Sequence, residues 1–289
     1  MSERKPKDNL FAGTRKFSSL FLIVIFILTA SASCEGFNDT DYQYEEPFEK
    51  VIPVKEAGSF SLSNINGSIT VTSSPEMEVV IKATKYARWK KEDLDKVRID
   101  IVSGEKSVIV DTVYERKNLR AKVDYEITVP EKIALELVKS VNGKVNVSGR
   151  FDRAKLSTTN GGITAQGDFH WLEAATTNGN LDIFQVKGTV NLRTTNGSIR
   201  LELDEVAGDL RAKTTNGSIT IKLAGQPDAQ FFARTTNGSI KVDYPVTVEG
   251  EISRRRVEGR IGSGQGPKIE LKTTNGSISL LKKQGHEPI

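Results

Sequence analysis

Apolar and polar residues alternate after the Asn-Gly pairs in the middle of the chain. In residues 191–203, NLRTTNGSIRLEL, aliphatic residues occupy every second position from Ile199, and charged residues lie between them. The same alternation begins again at Ile219. A period of two predicts short strands that are buried on one face only. The Asn-Gly pairs predict turns, because both residue types tolerate positive φ.

The turn sequence itself is repeated. The Asn-Gly pairs from Asn142 to Asn237 are 18, 18, 18, 20 and 21 residues apart, and the outer gaps of 76 and 38 are close to multiples of 19. A period of about 19 residues predicts a solenoid of stacked coils and not a meander of hairpins. Stacked Asn side chains would be buried and would hydrogen-bond from coil to coil. The predicted turn ladder is Asn142, Asn160, Asn178, Asn196, Asn216, Asn237 and Asn275, with a looser copy at Asn66.

Less regular segments flank this array. Strands are predicted at 68–72, 79–84, 97–102, 107–113 and 123–129, and residues 88–95 have the composition of a short helix. Residues 244–268 break the period and predict an enlarged or irregular coil. If Asn275 lies at the end of the stack, its replacement should destabilise the protein less than replacement of Asn196.

The N-terminal residues have the pattern of an export signal. A basic segment precedes a short apolar core at 20–28, and small residues then lead to Cys34, the only cysteine. The end of this segment resembles a bacterial lipobox, although Ser31 stands where leucine is usual. Lipidation of Cys34 is the main interpretation; cleavage after Ala32 and a retained anchor are the alternatives. The domains are therefore a lipoprotein-type signal peptide (1–33), an acidic flexible tether (34–52), the solenoid (53–283) and a tail (284–289).

Charge and composition exclude several functions. Of 41 basic and 37 acidic residues, five and two lie in residues 1–33, which leaves 36 and 35 in the mature part. A chain so nearly neutral lacks the electrostatic surface of a nucleic-acid-binding protein. One cysteine and two histidines give no metal-ligand pattern, so we predict neither metal nor cofactor.

The TTNGSI repeats, the early NINGSITV and the YEITVP at 125–130 resemble the bacterial putative-adhesin family of β-strand-repeat proteins, a domain of unknown function. The resemblance covers roughly residues 53–283. It implies an all-β fold, a single right-handed β-solenoid similar to a parallel β-helix, exported or membrane-tethered. The family supplies no catalytic residues.

Two surfaces are candidate ligand sites. His170 and Trp171 form an aromatic cluster that could stack on a sugar, or could simply pack a corner. Arg254, Arg255 and Arg256 could bind anionic glycans or lipid head groups, or could be a solvated loop.

Three functions follow as hypotheses. The first is an exported, lipid-anchored, non-catalytic structural or adhesive module of the cell envelope, at the outer membrane or cell surface. Its partners would be the membrane, through the lipid, and a surface glycan or envelope protein. The second is an envelope binding or sensing module that works with a membrane signalling partner. The third is a glycan-active enzyme, for which Asp182 and Glu202 are the nearest pair of carboxylates.

Overall fold

The computed structural model describes residues 42–55, 58–116, 119–248 and 253–283, and these form an all-β structure. The described residues include one short 3-10 helix, Lys91–Asp93. The strands, numbered in chain order, are β1 (Tyr44–Pro53), β2 (Ser59–Ser63), β3 (Ile69–Ser74), β4 (Glu78–Ala87), β5 (Val97–Ser103), β6 (Ser107–Tyr114), β7 (Ala121–Pro130), β8 (Ala134–Lys139), β9 (Val145–Ser157), β10 (Ile163–Ala175), β11 (Leu181–Phe184), β12 (Thr189–Arg193), β13 (Ile199–Leu203), β14 (Leu210–Lys213), β15 (Ile219–Leu223), β16 (Ala229–Asn237), β17 (Ile240–Val242), β18 (Thr247–Val248), β19 (Arg256–Ile261), β20 (Lys268–Asn275) and β21 (Ile278–Lys282).

The central strands stack in parallel with the predicted period. Val145 pairs with Ile163, Ile163 with Leu181, and Leu181 with Ile199, which is a shift of 18 residues per coil. Each coil contributes one strand to each of two faces. The first face contains β2, β8, β12, β14, β20 and β16, and the second contains β3, β11, β13, β15, β21 and β17. The long strands β9 and β10 bend at Gly149 and Gly167, both with positive φ, and contribute to both faces. The predicted solenoid-like all-β fold is confirmed.

The hydrophobic core lies between the two faces. Leu192 on the first face and Leu201 on the second are almost completely buried, and one continuous cluster extends from β1 to β21. The alternation read from the sequence places every second residue in this cluster. Burial of these side chains stabilises the stack by roughly 1.5–3 kcal/mol for each large aliphatic residue.

The order of coils in the stack departs from their order in the chain. β20 pairs with β14 on one side and with β16 on the other, and β21 lies likewise between β15 and β17. The last coil of the chain, formed by β20 and β21, therefore lies between the coil of β14 and β15 and the coil of β16 and β17. Asn275 is consequently interior and Asn237 is terminal, so the expectation that Asn275 ends the stack is wrong.

Antiparallel strands cover the ends of the stack. β4 pairs with β7, and β1 pairs with β4; on the first face, β5 pairs with β6. At the other end, β19 and β18 extend the first face beyond β16. Such terminal strands protect the edges of a parallel array from pairing with other chains. The irregular coil predicted at 244–268 corresponds to this second cap.

Two local predictions are wrong. The tether was predicted to reach residue 52, but residues 44–52 belong to β1, because Phe48 packs on the core and Ile52 is buried. Two acidic residues of β1 have basic partners on β4, since Glu46 lies 2.9 Å from the ammonium of Lys85 and Glu49 lies 3.7 Å from that of Lys82. The helix predicted at 88–95 is limited to the three residues of the 3-10 helix.

The predicted signal peptide (1–33), Cys34 and the C-terminal tail (284–289) lie outside the described residues. Within the described ranges, no helix is long and apolar enough to cross a membrane.

Candidate functional site: a polar ridge and a basic row

The first threonine of each TTNG motif points into the stack. The six threonines at this position are buried, and each hydroxyl donates a hydrogen bond of 2.8–3.0 Å to a glycine carbonyl of the neighbouring coil. Thr214, for example, donates to Gly197. Ser140 makes the same bond to Gly67 in the looser copy of the motif. The buried hydroxyl at each of these turns therefore has an acceptor for its proton.

The asparagines form a continuous ladder, as predicted. The Nδ2 of Asn196 donates to the Oδ1 of Asn178, and Asn216 donates to Asn196 in the same way. Both hydrogen bonds are 2.8 Å long. At the far end, Asn275 donates to Asn216, and Asn237 donates to Asn275. The ladder begins at Asn66, which accepts from Asn142. Two features differ from the prediction: these side chains are exposed, and no asparagine of the described residues has positive φ.

The glycine of the motif is required by the close approach of the coils. A Cβ atom on Gly197 would lie 1.9 Å from the carbonyl oxygen of Gly179, and one on Gly179 would lie 1.9 Å from that of Gly161. The asparagines themselves are extended and bridge in parallel from coil to coil. The motif therefore acts through contacts between coils and not through turn dihedrals within one coil.

The exposed side of the motif is a neutral polar ridge, defined by the second threonine and the asparagine of each coil. In the C-terminal half its exposed members are Thr195, Asn196, Asn216, Thr274, Asn275, Thr236 and Asn237. These side chains offer hydroxyl and amide groups at intervals of about 4.8 Å along the stack.

A row of positive charges runs beside this ridge. The residue before TTNG is basic in the last four copies, and the pairing register places these residues side by side on the first face. Arg256 of β19 pairs with Arg234 and extends the row. We call this set the basic row; its members, in stack order, are Arg193, Lys213, Lys272, Arg234 and Arg256.

The basic row is one residue wide. The adjacent row of outward-facing residues on the first face lies on the side away from the TTNG turns. It contains Arg211, Glu270, Phe232 and Glu258. Within it, a hydrogen bond from Lys272 and the charges of Lys272, Lys268 and Arg211 lower the pKa of Glu270 below its ordinary value. Phe232 is half-buried, with the charged groups of Arg256 and Lys272 5.7 and 5.1 Å from its ring centroid.

The two candidate ligand sites are separate. His170 and Trp171 lie on β10, five strands from Arg256 along the first face, or about 24 Å at strand spacing. The guanidinium of Arg153 lies 4.3 Å from the ring centroid of Trp171, and the Nδ1 of His170 lies 3.1 Å from a carboxylate oxygen of Asp152.

Arg254 and Arg255 have exposed side chains, and their carbonyls accept bonds from Ile240 and Thr235. Sequence analysis therefore identified the end of the basic row but missed the row itself. The basic residue before each of the last four TTNG motifs was the signal that could have revealed it.

The candidate carboxylates are engaged in ion pairs. Asp182 lies 3.6 Å from Arg200, and Glu202 lies 2.7 Å from Lys222. A concavity of about 390 Å³ is lined by the turns at 204–206 and 224–228 and by residues 266–267, and its acidic lining residues are Asp204, Glu205 and Asp228. Its Asp228 accepts bonds from the Ser263 hydroxyl and the Gly264 amide, which lower the pKa of this carboxyl. Asp228 therefore holds the 262–266 loop, and the described residues contain no group of three or more potential metal ligands.

Comparisons with known proteins give a family and distant structural similarities. No curated protein matches the chain significantly. A "putative adhesin" from Bacteroides fragilis is 15% identical, with a TM-score of 0.39, over 82% of this chain and 97% of that one. A "putative cell adhesion protein" from Clostridium sporogenes is 14% identical, with a TM-score of 0.34, over 82% and 100%. A "putative lipid binding protein" from Parabacteroides distasonis is 12% identical, with a TM-score of 0.32, over 82% and 97%.

We infer neither ligand nor activity from similarities at this level. The family comparison is decisive, since the model of the Toastrack DUF4097 family matches residues 51–281. This range extends from the end of β1 to β21 and includes every TTNG motif. The chain belongs to the Toastrack DUF4097 family.

Proposed function

We propose that the protein is an exported module of the cell envelope, held to a membrane by a lipid on Cys34, and that it acts as a non-catalytic structural or adhesive element. The observation that supports this proposal is the asparagine ladder, which fixes the same polar side chains at regular spacing along one edge of the stack. A rigid array of this kind presents one surface many times over, which suits contact with a repetitive partner.

The ion pairing of the two candidate carboxylates, Asp182 and Glu202, also supports a non-catalytic role. A glycan-active enzyme needs two carboxylates, one of them free to act as a general acid. In the described part of the chain, the pair that the sequence suggested is instead neutralised by Arg200 and Lys222.

Anchoring is tested in cells that make the wild-type protein or the Cys34→Ala variant. A fatty-acid analogue should label the wild-type protein, and the variant should lose the label and leave the membrane fraction. Thr40→Ala, a nearby change that preserves Cys34, should keep both properties. A label that persists in Cys34→Ala would contradict lipidation at this residue.

Adhesion is tested on the same cells. Cells with the anchored protein should aggregate, or attach to a neighbouring cell layer, more than cells that make Cys34→Ala. Equal attachment by the two would contradict the adhesive role even if the lipid is present.

A further inference from the structure

In the basic row, positively charged residues lie side by side on neighbouring strands. Arg193 pairs with Lys213, Lys213 with Lys272, Lys272 with Arg234, and Arg234 with Arg256. Like charges that face each other on neighbouring strands destabilise a sheet. The fold therefore maintains four consecutive repulsive pairs on one exposed row.

Other outward positions of the same stack show the opposite arrangement. Lys155 lies beside Glu173, and on the second face Asp182 lies beside Arg200. These pairs show that the repeat readily accepts complementary charges on neighbouring strands. The sequence of charges in the basic row is thus a specific property of the last coils.

Much of this charge is uncompensated. Lys272 and Arg256 each contact a glutamate of the adjacent row, Glu270 and Glu258. Arg193, Lys213 and Arg234 make no ion pair with any residue in the described ranges. The first two have exposed side chains on adjacent strands, and Arg234 is exposed as well.

We propose that the basic row binds a linear acidic polysaccharide, which lies along the stack across β12, β14, β20, β16 and β19. Five cations at strand spacing give a track of about 19 Å, suited to a polymer with repeated negative charges. The proposal names the ligand class of the adhesive surface and rests on the proposed function for its location outside the cell.

The surroundings of the row define the rest of the ligand. On one side, the polar ridge places Thr195, Thr274 and Thr236 two residues beyond Arg193, Lys272 and Arg234. Their exposed hydroxyls can hydrogen-bond to sugar hydroxyls. On the other side, the half-buried ring of Phe232 adds apolar surface beside Arg256 and Lys272, whose charged groups lie 5.7 and 5.1 Å from its ring centroid.

The acidic neighbours make duplex nucleic acid a poor fit. Glu270 and Glu258 lie in the row directly beside the cations, so a second line of phosphates would face negative charge. Duplex DNA also has one charge per about 1.7 Å of its axis, far denser than one cation per strand. A single extended chain with separated charges matches the one-residue width of the row.

Binding is measured with the intact protein in non-ionic detergent and immobilised dextran sulfate, with neutral dextran as the reference. The wild-type protein should bind dextran sulfate only, and binding should weaken as salt rises. The triple variant Arg193→Ser, Lys213→Ser, Arg234→Ser should bind at least about ten-fold more weakly. The matched control Arg200→Ser, Lys222→Ser, Lys241→Ser removes the same charge from the second face and should bind like the wild type.

The thermal stability of the triple variant distinguishes ligand binding by these cations from a structural role. Because the triple variant relieves like-charge repulsion, its midpoint of thermal unfolding should equal or exceed that of the wild-type protein. A large decrease would mean that the cations support the fold and would overturn the proposal.

Three further results would also overturn it. If the control triple variant bound dextran sulfate as weakly as the triple variant of the basic row, binding would depend on the overall positive charge and not on the basic row. Displacement by glycerophosphate at the same total charge would indicate a site for single anions, and tighter binding of duplex DNA than of dextran sulfate would indicate the wrong class of polymer. Since anchoring plays no part in these assays, their failure is distinct from failure of the lipidation test.

Discussion

The middle and the far end of the stack are built from the same TTNG motif, yet they differ in how position relates to chain order. From β9 to β15 each coil lies on the one before it, and each asparagine bonds to its predecessor in sequence. At the far end, the last coil lies between two earlier ones, and Asn275 donates to Asn216 across 59 residues. The motif therefore specifies which surfaces stack but not which coil occupies each position.

The largest expected effect concerns the glycines. In Gly197→Ala the new methyl group meets a carbonyl 1.9 Å away, with coils on both sides that prevent relaxation, so the variant should lose at least about 3 kcal/mol of unfolding free energy or fail to fold. Gly238→Ala introduces a similar contact of 2.0 Å with Gly276, but in the terminal coil, which can shift. It should therefore cost less. Chemical denaturation compares the two.

Gly162→Ala is the control, because its added Cβ would lie 3.3 Å from its nearest neighbour, the carbonyl oxygen of Asn180. It should cost much less than Gly197→Ala. Equal losses at Gly197 and Gly238 would show that the terminal coil is as constrained as the central ones.

A smaller effect is expected from the asparagine ladder, and it tests the order of the coils. Asn196→Ala and Asn275→Ala each remove two side-chain bonds, whereas Asn237→Ala removes one. Because these hydrogen bonds are exposed to solvent, Asn196→Ala and Asn275→Ala should each lose about 1 kcal/mol of unfolding free energy. Asn237→Ala should lose about half of that. A loss at Asn275 that matches Asn237 and not Asn196 would contradict the insertion of the last coil.

The smallest effect concerns Glu270, which lies in the inserted coil. The folded state lowers the pKa of this carboxyl, so its stabilising contribution is complete above the ordinary pKa of glutamate and is lost as the pH falls through the lowered value. The stability advantage of the wild-type protein over Glu270→Gln should therefore vanish as the solution is acidified over that range. Unfolding midpoints measured from neutral to acidic pH give the difference; an advantage that persists in strong acid would contradict the assigned cause.

The sequence predicts the period, the strands and the asparagine ladder, because each depends on residues that repeat. It does not predict the position of the last coil, since the coils around Asn216, Asn237 and Asn275 have nearly the same motif and any two could stack. The incorporation of residues 44–52 into β1 was also hidden, because their acidic composition resembles a tether while Phe48 and Ile52 contact the core. The close approach at Gly197 depends on a carbonyl of another coil, which is not evident from local turn preferences.

The inserted coil has a consequence for the order in which the chain can assemble. Coils through β15 can be added one after another as the chain emerges, since each needs only residues already present. β16 and β17 differ, because in the folded protein they are joined to β14 and β15 through β20 and β21, which come later in the chain. The native order of the stack is therefore reached only when residues 268–282 lie between the coil of β14 and β15 and the coil of β16 and β17. A chain interrupted before residue 268 would lack the native partners of β14 and β15, whose edges would then be open or paired with a coil out of its native place.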